Sequence, residues 1–69
     1  MYVIVRVNME DMTKTPLPGG YDDEPQAKQA LAEVLAGYAK HGQGKEGEEH
    51  GYWWAKDDKG RQFRFILER

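Results

Sequence analysis

The feature that most limits the fold is that this chain of 69 residues contains no cysteine. A chain this short buries only about 60 % of the surface that its unfolded form exposes, so its stability is marginal. Small domains often compensate with disulfides or a thiolate zinc site, and the composition excludes both. We therefore expect one domain over residues 1–69 that depends on a single apolar core. Its small size also leaves self-association open, although many domains of this size fold alone.

The charge and the N-terminal segment narrow the function classes. The net charge is −2 at pH 7, which disfavours general electrostatic binding to nucleic acid or anionic lipid. The segment Met1–Arg6 lacks the regions of a signal peptide, and its apolar run of about four residues is far shorter than the roughly 20 that cross a bilayer. We expect a cytoplasmic protein, complete from its initiator methionine, with no membrane partner.

The first strand is predicted over Tyr2 to Met9, where apolar residues alternate with period two. The face expected to point to the core carries Val3, Val5, Val7 and Met9. The opposite face carries Tyr2, Ile4, Arg6 and Asn8. The next segment, from Glu10 to Asp22, contains two prolines and two adjacent glycines and is predicted to be a long irregular connection, anchored by Leu17 and Tyr21.

An amphipathic helix is the clearest element of the sequence. Asp23 is the expected N-cap, Gln26 completes a capping-box pattern, and Pro25 is tolerated in the first turn. The apolar stripe at helical spacing consists of Ala27, Ala30, Leu31, Val34, Leu35 and Tyr38. Lys40 and His41 favour the last turn, and Gly42 is the expected left-handed stop. The residues from Gly42 to Gly51 have no apolar side chain and predict a mobile surface loop.

A β-hairpin is predicted at the C-terminal end, where Gly51–Lys56 and Arg61–Glu68 flank the turn Asp57–Gly60. A type I turn with Gly60 in the left-handed position pairs residues whose numbers sum to 118. This register places Trp53, Ala55, Phe63, Phe65 and Leu67 on the core side. It places Tyr52, Trp54, Lys56, Gln62, Arg64 and Ile66 on the other side. A slip of one residue would reverse the two sets, and the turn chemistry favours the stated register.

The fold class expected from these elements is α+β, with the order β-α-β-β and one helix packed on a three-stranded sheet. A right-handed crossover and the C-terminal hairpin favour the strand order 2-3-1 over the alternative 1-2-3. An arrangement this simple occurs in many unrelated proteins, so it carries no functional information.

The sheet face without a helix is the best candidate site, because one helix covers only one face. The side chains expected there are Tyr2, Ile4, Arg6, Tyr52, Trp54, Arg64 and Ile66. An exposed aromatic and aliphatic patch with arginine is typical of a protein interface. The alternative is that Trp54 stacks on Arg64 as a cation–π pair while the first connection folds over the rest. We expect a protein-interaction module that self-associates or docks on a larger protein.

Other functions receive weaker support. Aromatic side chains flanked by arginine can stack single-stranded nucleic acid, although the acidic balance disfavours it. His41 and His50, with three glutamates between them, match no metal-ligand spacing, and Gly42–Lys45 follows a helix rather than a strand, unlike a phosphate loop. The chain has no serine, and its two threonines lack an evident base, so only a minor acid–base enzyme is conceivable. We expect no catalytic residue, no metal and no cofactor.

Overall fold

β-branched residues make up most of the first strand, and the rest of a five-stranded antiparallel sheet assembles around it. The computed structural model describes residues 1–44 and 51–69. The elements, in chain order, are β1 (Val3–Asn8), β2 (Lys14–Pro16), α1 (Glu24–Leu35), β3 (Lys40–Gly44), β4 (Tyr52–Lys56) and β5 (Gln62–Glu68). The strand order in the sheet is β2-β1-β5-β4-β3.

The α+β class is confirmed, whereas the three-stranded sheet and the β-α-β-β order are wrong. The three expected strands are the middle ones of the sheet, with β5 lying between β1 and β4. Two strands were missed. One is β2, which lies inside the expected irregular connection, and the other is β3, which begins where the helix was expected to end. Leu17 and Tyr21 both pack against the core, as expected of anchors.

The helix begins as predicted but ends early. The Asp23 side chain accepts a hydrogen bond of 2.9 Å from the backbone N–H of Gln26, so the N-cap is confirmed. At the other end, Gly37 and Tyr38 donate to carbonyls three residues back, which tightens the last turn and stops the helix at Leu35. The predicted last turn at Lys40 and His41, with Gly42 as the stop, is therefore wrong.

The predicted mobile loop from Gly42 to Gly51 is also wrong for its first part. Residues Gly42 to Gly44 belong to β3 and pair in register with β4. The remaining part, residues 45–50, lies outside the residues that the structure describes.

The core lies between α1 and one face of the sheet. Ala27, Leu31 and Leu35 are the buried residues of the helix. They pack with a cluster from the sheet that consists of Ile4, Trp53, Ala55, Phe65 and Leu67. The connection after the helix adds one aromatic residue, because the ring of Tyr38 lies 5.6 Å from that of Phe63 and 5.7 Å from that of Phe65, measured between centroids.

The first strand presents the opposite faces to those expected. Ile4 belongs to the core cluster under the helix, whereas Val5 and Val7 point to the uncovered side of the sheet. The pattern misled because β1 lies inside the sheet with apolar residues on both faces. Ile4, Val5 and Val7 are all buried, so alternation of polarity does not identify the helix side.

The C-terminal hairpin has the predicted register. Trp53 pairs with Phe65 and Trp54 with Arg64, and both pairs sum to 118. Gly60 has a φ of 81°, the left-handed conformation that the bulged turn requires.

The turn is held by the carboxylate of Asp57. It accepts the backbone N–H groups of Lys59 and Arg61, each at 2.9 Å, and the Nε of Arg61 at 2.7 Å. Burial raises the pKa of Asp57, but these hydrogen bonds and the Arg61 charge outweigh it, so the pKa lies below its ordinary value. Because the pKa of Asp57 is lower in the folded chain than in the unfolded chain, its ionised carboxylate stabilises the fold above about pH 4. This contribution disappears as the pH falls through the pKa of the folded chain.

We therefore expect the urea midpoint of the wild type to be lower at about pH 3 than at neutral pH. We expect Asp57→Asn to make this difference smaller. The hydrogen bonds of Thr13 also lower the pKa of Asp11, so Asp11→Asn should reduce the difference as well and the double variant most. Urea unfolding of the four proteins at both pH values measures the effect. An acid dependence that Asp57→Asn leaves unchanged would show that the turn carboxylate does not contribute.

Candidate functional site

The sheet has one face that no described element covers, because α1 is the only described helix and its buried side chains pack on the other face. We call this surface the open face. The strand registers place on it Val3, Val5, Val7, Lys14, Pro16, Lys40, Gly42, Gly44, Tyr52, Trp54, Lys56, Gln62, Arg64, Ile66 and Glu68.

The structure divides the seven predicted interface residues between the two faces. Tyr52, Trp54, Arg64 and Ile66 lie on the open face. The other three, Tyr2, Ile4 and Arg6, lie on the helix side, so the prediction that all seven share one face is wrong. Ile4 is part of the core cluster, Tyr2 packs against that cluster, and the Arg6 guanidinium lies 5.3 Å from the centroid of the Phe63 ring.

Most of the aliphatic surface on the open face is sealed by neighbouring side chains. Val5 and Val7 are each 4 % exposed, and Ile66 is 9 % exposed. Val7 lies between Lys14 and Arg64 in the sheet, and the longer side chains of these two residues shield it. Trp54, at 42 % exposure, is the one large apolar side chain of the open face that is exposed among the described residues. The open face therefore offers one aromatic anchor rather than a broad apolar patch.

The rings of Trp54 and Tyr52 cover two glycines of the edge strand β3. Gly42 pairs with Trp54 and Gly44 with Tyr52, and each ring lies against the glycine opposite. A Cβ atom on Gly42 would lie 2.6 Å from three atoms of the indole, and a Cβ atom on Gly44 would collide with the phenol ring. Aromatic rings that cover glycines in this way stabilise an edge strand that has little side-chain packing of its own.

Arg64 stacks on Tyr52 and not on Trp54. Its guanidinium carbon lies 4.1 Å from the centroid of the Tyr52 ring, a short cation–π contact. The expected alternative, a stacked pair of Trp54 and Arg64, is therefore wrong, although the two residues are directly opposite in the register. Because Arg64 covers the Tyr52 ring, Trp54 remains the available aromatic surface.

Charge is unevenly distributed over the molecule. The described residues hold nine basic and nine acidic side chains, so the net charge of the whole chain comes from residues 45–50. The open face carries four of the basic groups, Lys14, Lys40, Lys56 and Arg64, and one carboxylate, Glu68. The open face is therefore basic even though the chain is acidic, and a partner for it would be negatively charged.

A shallow cavity lies beside the indole on this face. Its volume is about 230 Å³, and Met9, Trp54, Lys56, Gln62 and Arg64 contribute to its lining. The cavity thus joins the exposed aromatic ring to two cations and one amide. This combination can bind a carboxylate or phosphate next to a flat apolar group.

The described residues provide no metal site that competes with the open face. Among residues 1–44 and 51–69, no group of three or more His, Asp or Glu side chains could hold a metal ion. His41 is exposed on edge strand β3, whereas His50 and the three glutamates expected near it lie outside the described residues. Within the same ranges, no helix is long and apolar enough to cross a membrane. The open face is therefore the candidate site.

No protein-family model, curated protein or solved structure matches this chain. The open face is consequently the basis for assigning a function. Sequence reasoning found its aromatic members from the hairpin register, but it missed the contribution of Lys14, Lys40 and the two glycines. The signal that could have found Lys14 is the alternation of side chains along β1. Once Val5 and Val7 are placed on the open face, the pairing of Val7 with Lys14 places Lys14 there as well.

Proposed function

We propose that the protein is an interaction module whose open face docks on an acidic surface of another protein. The observation that carries this proposal is the exposed indole of Trp54 on a basic face that no described element covers. Tryptophan and arginine are the residues most enriched at the centres of protein interfaces. The position of Trp54 next to Lys56 and Arg64 thus supports an anchor that fits a partner's apolar pocket with carboxylates at its rim.

Single-stranded nucleic acid is the second candidate, and the four cations of the open face favour it. Proteins that bind single strands usually stack successive bases on successive aromatic rings. Here one face of the Tyr52 ring is occupied by Arg64, so a single ring is left for stacking. This difference makes a protein partner the better proposal.

The same proposal includes a cytoplasmic location and a binding role without catalysis. A chain without cysteine suits the reducing cytoplasm, and a binding role requires no cofactor. The cavity beside Trp54 lacks a nucleophile paired with a base among its described lining residues, which supports binding rather than catalysis.

Replacing Trp54 with alanine should abolish partner binding at a modest cost in stability. A side chain that is 42 % exposed loses limited burial, and we expect the free energy of unfolding to fall by about 1 kcal/mol. Affinity capture from the native host, with the wild type and Trp54→Ala as baits, measures binding, and urea unfolding measures stability. Met12→Ala is the matched control, because Met12 is an exposed apolar residue outside the open face.

Nuclease treatment of the captured material distinguishes the two candidates. A protein partner should survive the treatment, be lost with Trp54→Ala and be retained with Met12→Ala. Capture that disappears on nuclease treatment would favour nucleic acid instead. Capture that is equal for Trp54→Ala and the wild type would refute the open face as the site.

A further inference from the structure

The two edges of the sheet differ in the backbone groups that they leave unpaired. In an antiparallel sheet, alternate residues of an edge strand direct their N–H and C=O groups outward. Proteins usually block such edges, because free backbone groups can pair with another strand. The hydrogen bonds of this structure identify the residues that face outward at each edge.

The outward groups of β3 follow from the hairpin. The backbone N–H of Asp57 donates to the carbonyl of Arg61, so the backbone groups of Asp57 point towards β5. Because this direction alternates along a strand, the backbone groups of Trp54 and Lys56 point towards β3. Gly42 is opposite Trp54 and therefore bonds to β4. The backbone groups of the intervening residues, His41 and Gln43, point away from the sheet. They have no backbone hydrogen bond to another element among the described residues.

The outward groups of β2 are different. Leu17 donates to the carbonyl of Ile4, and Asn8 donates to the carbonyl of Thr13, so the odd-numbered residues of this segment face β1. The residues that face outward are Lys14 and Pro16. Proline has no N–H group, so this edge offers one donor and is poorly suited to pairing. The edge of β3 contains no proline and offers two donors and two acceptors.

We propose that the free edge of β3 pairs with the same strand of a second copy of the protein, antiparallel and centred on Gly42. In this register His41 of each copy lies opposite Gln43 of the other, so the outward groups of both form about four hydrogen bonds. Lys40 lies opposite Gly44 of the other copy, which avoids placing like charges directly opposite each other.

The glycines fit this arrangement sterically. Gly42 faces Gly42 of the second copy at a non-hydrogen-bonded position, where the two Cα atoms come closest, about 4.5 Å. Antiparallel registers shifted by two residues pair His41 or Gln43 with itself and shorten the overlap. The centred register is therefore the one in which all five residues of β3 pair. The result is a continuous ten-stranded sheet, with both open faces on the same side.

The test is the oligomeric state of Gln43→Pro compared with Gln43→Ala. Proline removes an N–H group that β4 does not use, so the fold is retained while two of the roughly four intermolecular bonds are lost. Sedimentation velocity over a concentration series should show a monomer–dimer equilibrium for the wild type and for Gln43→Ala. For Gln43→Pro the dissociation constant should rise by about tenfold or more.

Hydrogen exchange provides the second measurement on the unmodified protein. The amides of His41 and Gln43 should exchange rapidly in dilute solution and become protected as the dimer forms, whereas the Gly42 amide should be protected at all concentrations. A wild type that stays monomeric, or a dimer that leaves the His41 and Gln43 amides unprotected, would overturn the proposal. Failure of this proposal is distinguishable from failure of docking through the open face, because Gln43 pairs with Trp53 on the helix side and Gln43→Pro leaves the indole of Trp54 in place.

Discussion

Replacing Phe65 with alanine is expected to leave the chain unfolded at room temperature. Phe65 is 0 % exposed, lies on the central strand β5, and contacts the ring of Tyr38 edge-on. Truncation of a buried phenylalanine costs about 3–5 kcal/mol. A domain of this size has only about 3–5 kcal/mol to lose, so the substitution removes most or all of its stability.

Far-UV circular dichroism and thermal melting measure this effect directly. Phe65→Leu is the matched variant, since it keeps most of the apolar volume and should still melt cooperatively at a lower temperature. Phe63→Ala should cost less than Phe65→Ala because Phe63 is only half-buried. A cooperative melt of Phe65→Ala close to that of the wild type would mean that the core is not centred on β5.

Gly42→Ala is expected to have the second-largest effect, and its cost should depend on Trp54. The new methyl group would lie 2.6 Å from three indole atoms, so the ring has to move off the edge strand. Overpacking of this kind costs about 1–3 kcal/mol. In a Trp54→Ala background the obstacle is gone, and the same substitution should be nearly neutral, which gives a large coupling energy in a double-mutant cycle.

Urea unfolding of the wild type, the two single variants and the double variant measures that coupling. Gly37→Ala is the control, because a Cβ atom there meets only the carbonyl oxygen of Val34, at 3.4 Å. It should change the free energy of unfolding by about 0.5 kcal/mol or less. Additive effects of Gly42→Ala and Trp54→Ala would show that the ring does not lie on the glycine.

The parts of the fold that local chemistry specifies were predictable from the sequence. Gly60 determines the turn and thereby the hairpin register, and Asp23 determines the start of the helix. The faces of β1 were not predictable by alternation, because Ile4 and Val5 are both buried on opposite sides of the strand. Tertiary packing, not the pattern within the strand, decides which of the two lies under the helix.

Strand β3 could not be recognised from its own residues. The segment Lys40–Gly44 has no β-branched or aromatic side chain, and two of its five residues are glycines. It is a strand because rings of β4 cover those glycines, which is an interaction between segments. For the same reason the basic character of the open face was missed, since Lys40 and Lys14 belong to the two strands that the sequence did not reveal.

The position of β5 has a consequence for the kinetics of folding. It is the last element in the chain, yet it lies in the middle of the sheet and joins the β1–β2 pair to the β4–β3 pair. Val3 cannot meet its partner Glu68 until nearly all of these residues have left the ribosome. Contacts between such distant segments slow folding. During synthesis the two strand pairs therefore expose apolar surface, and they are protected from aggregation only when β5 pairs with both.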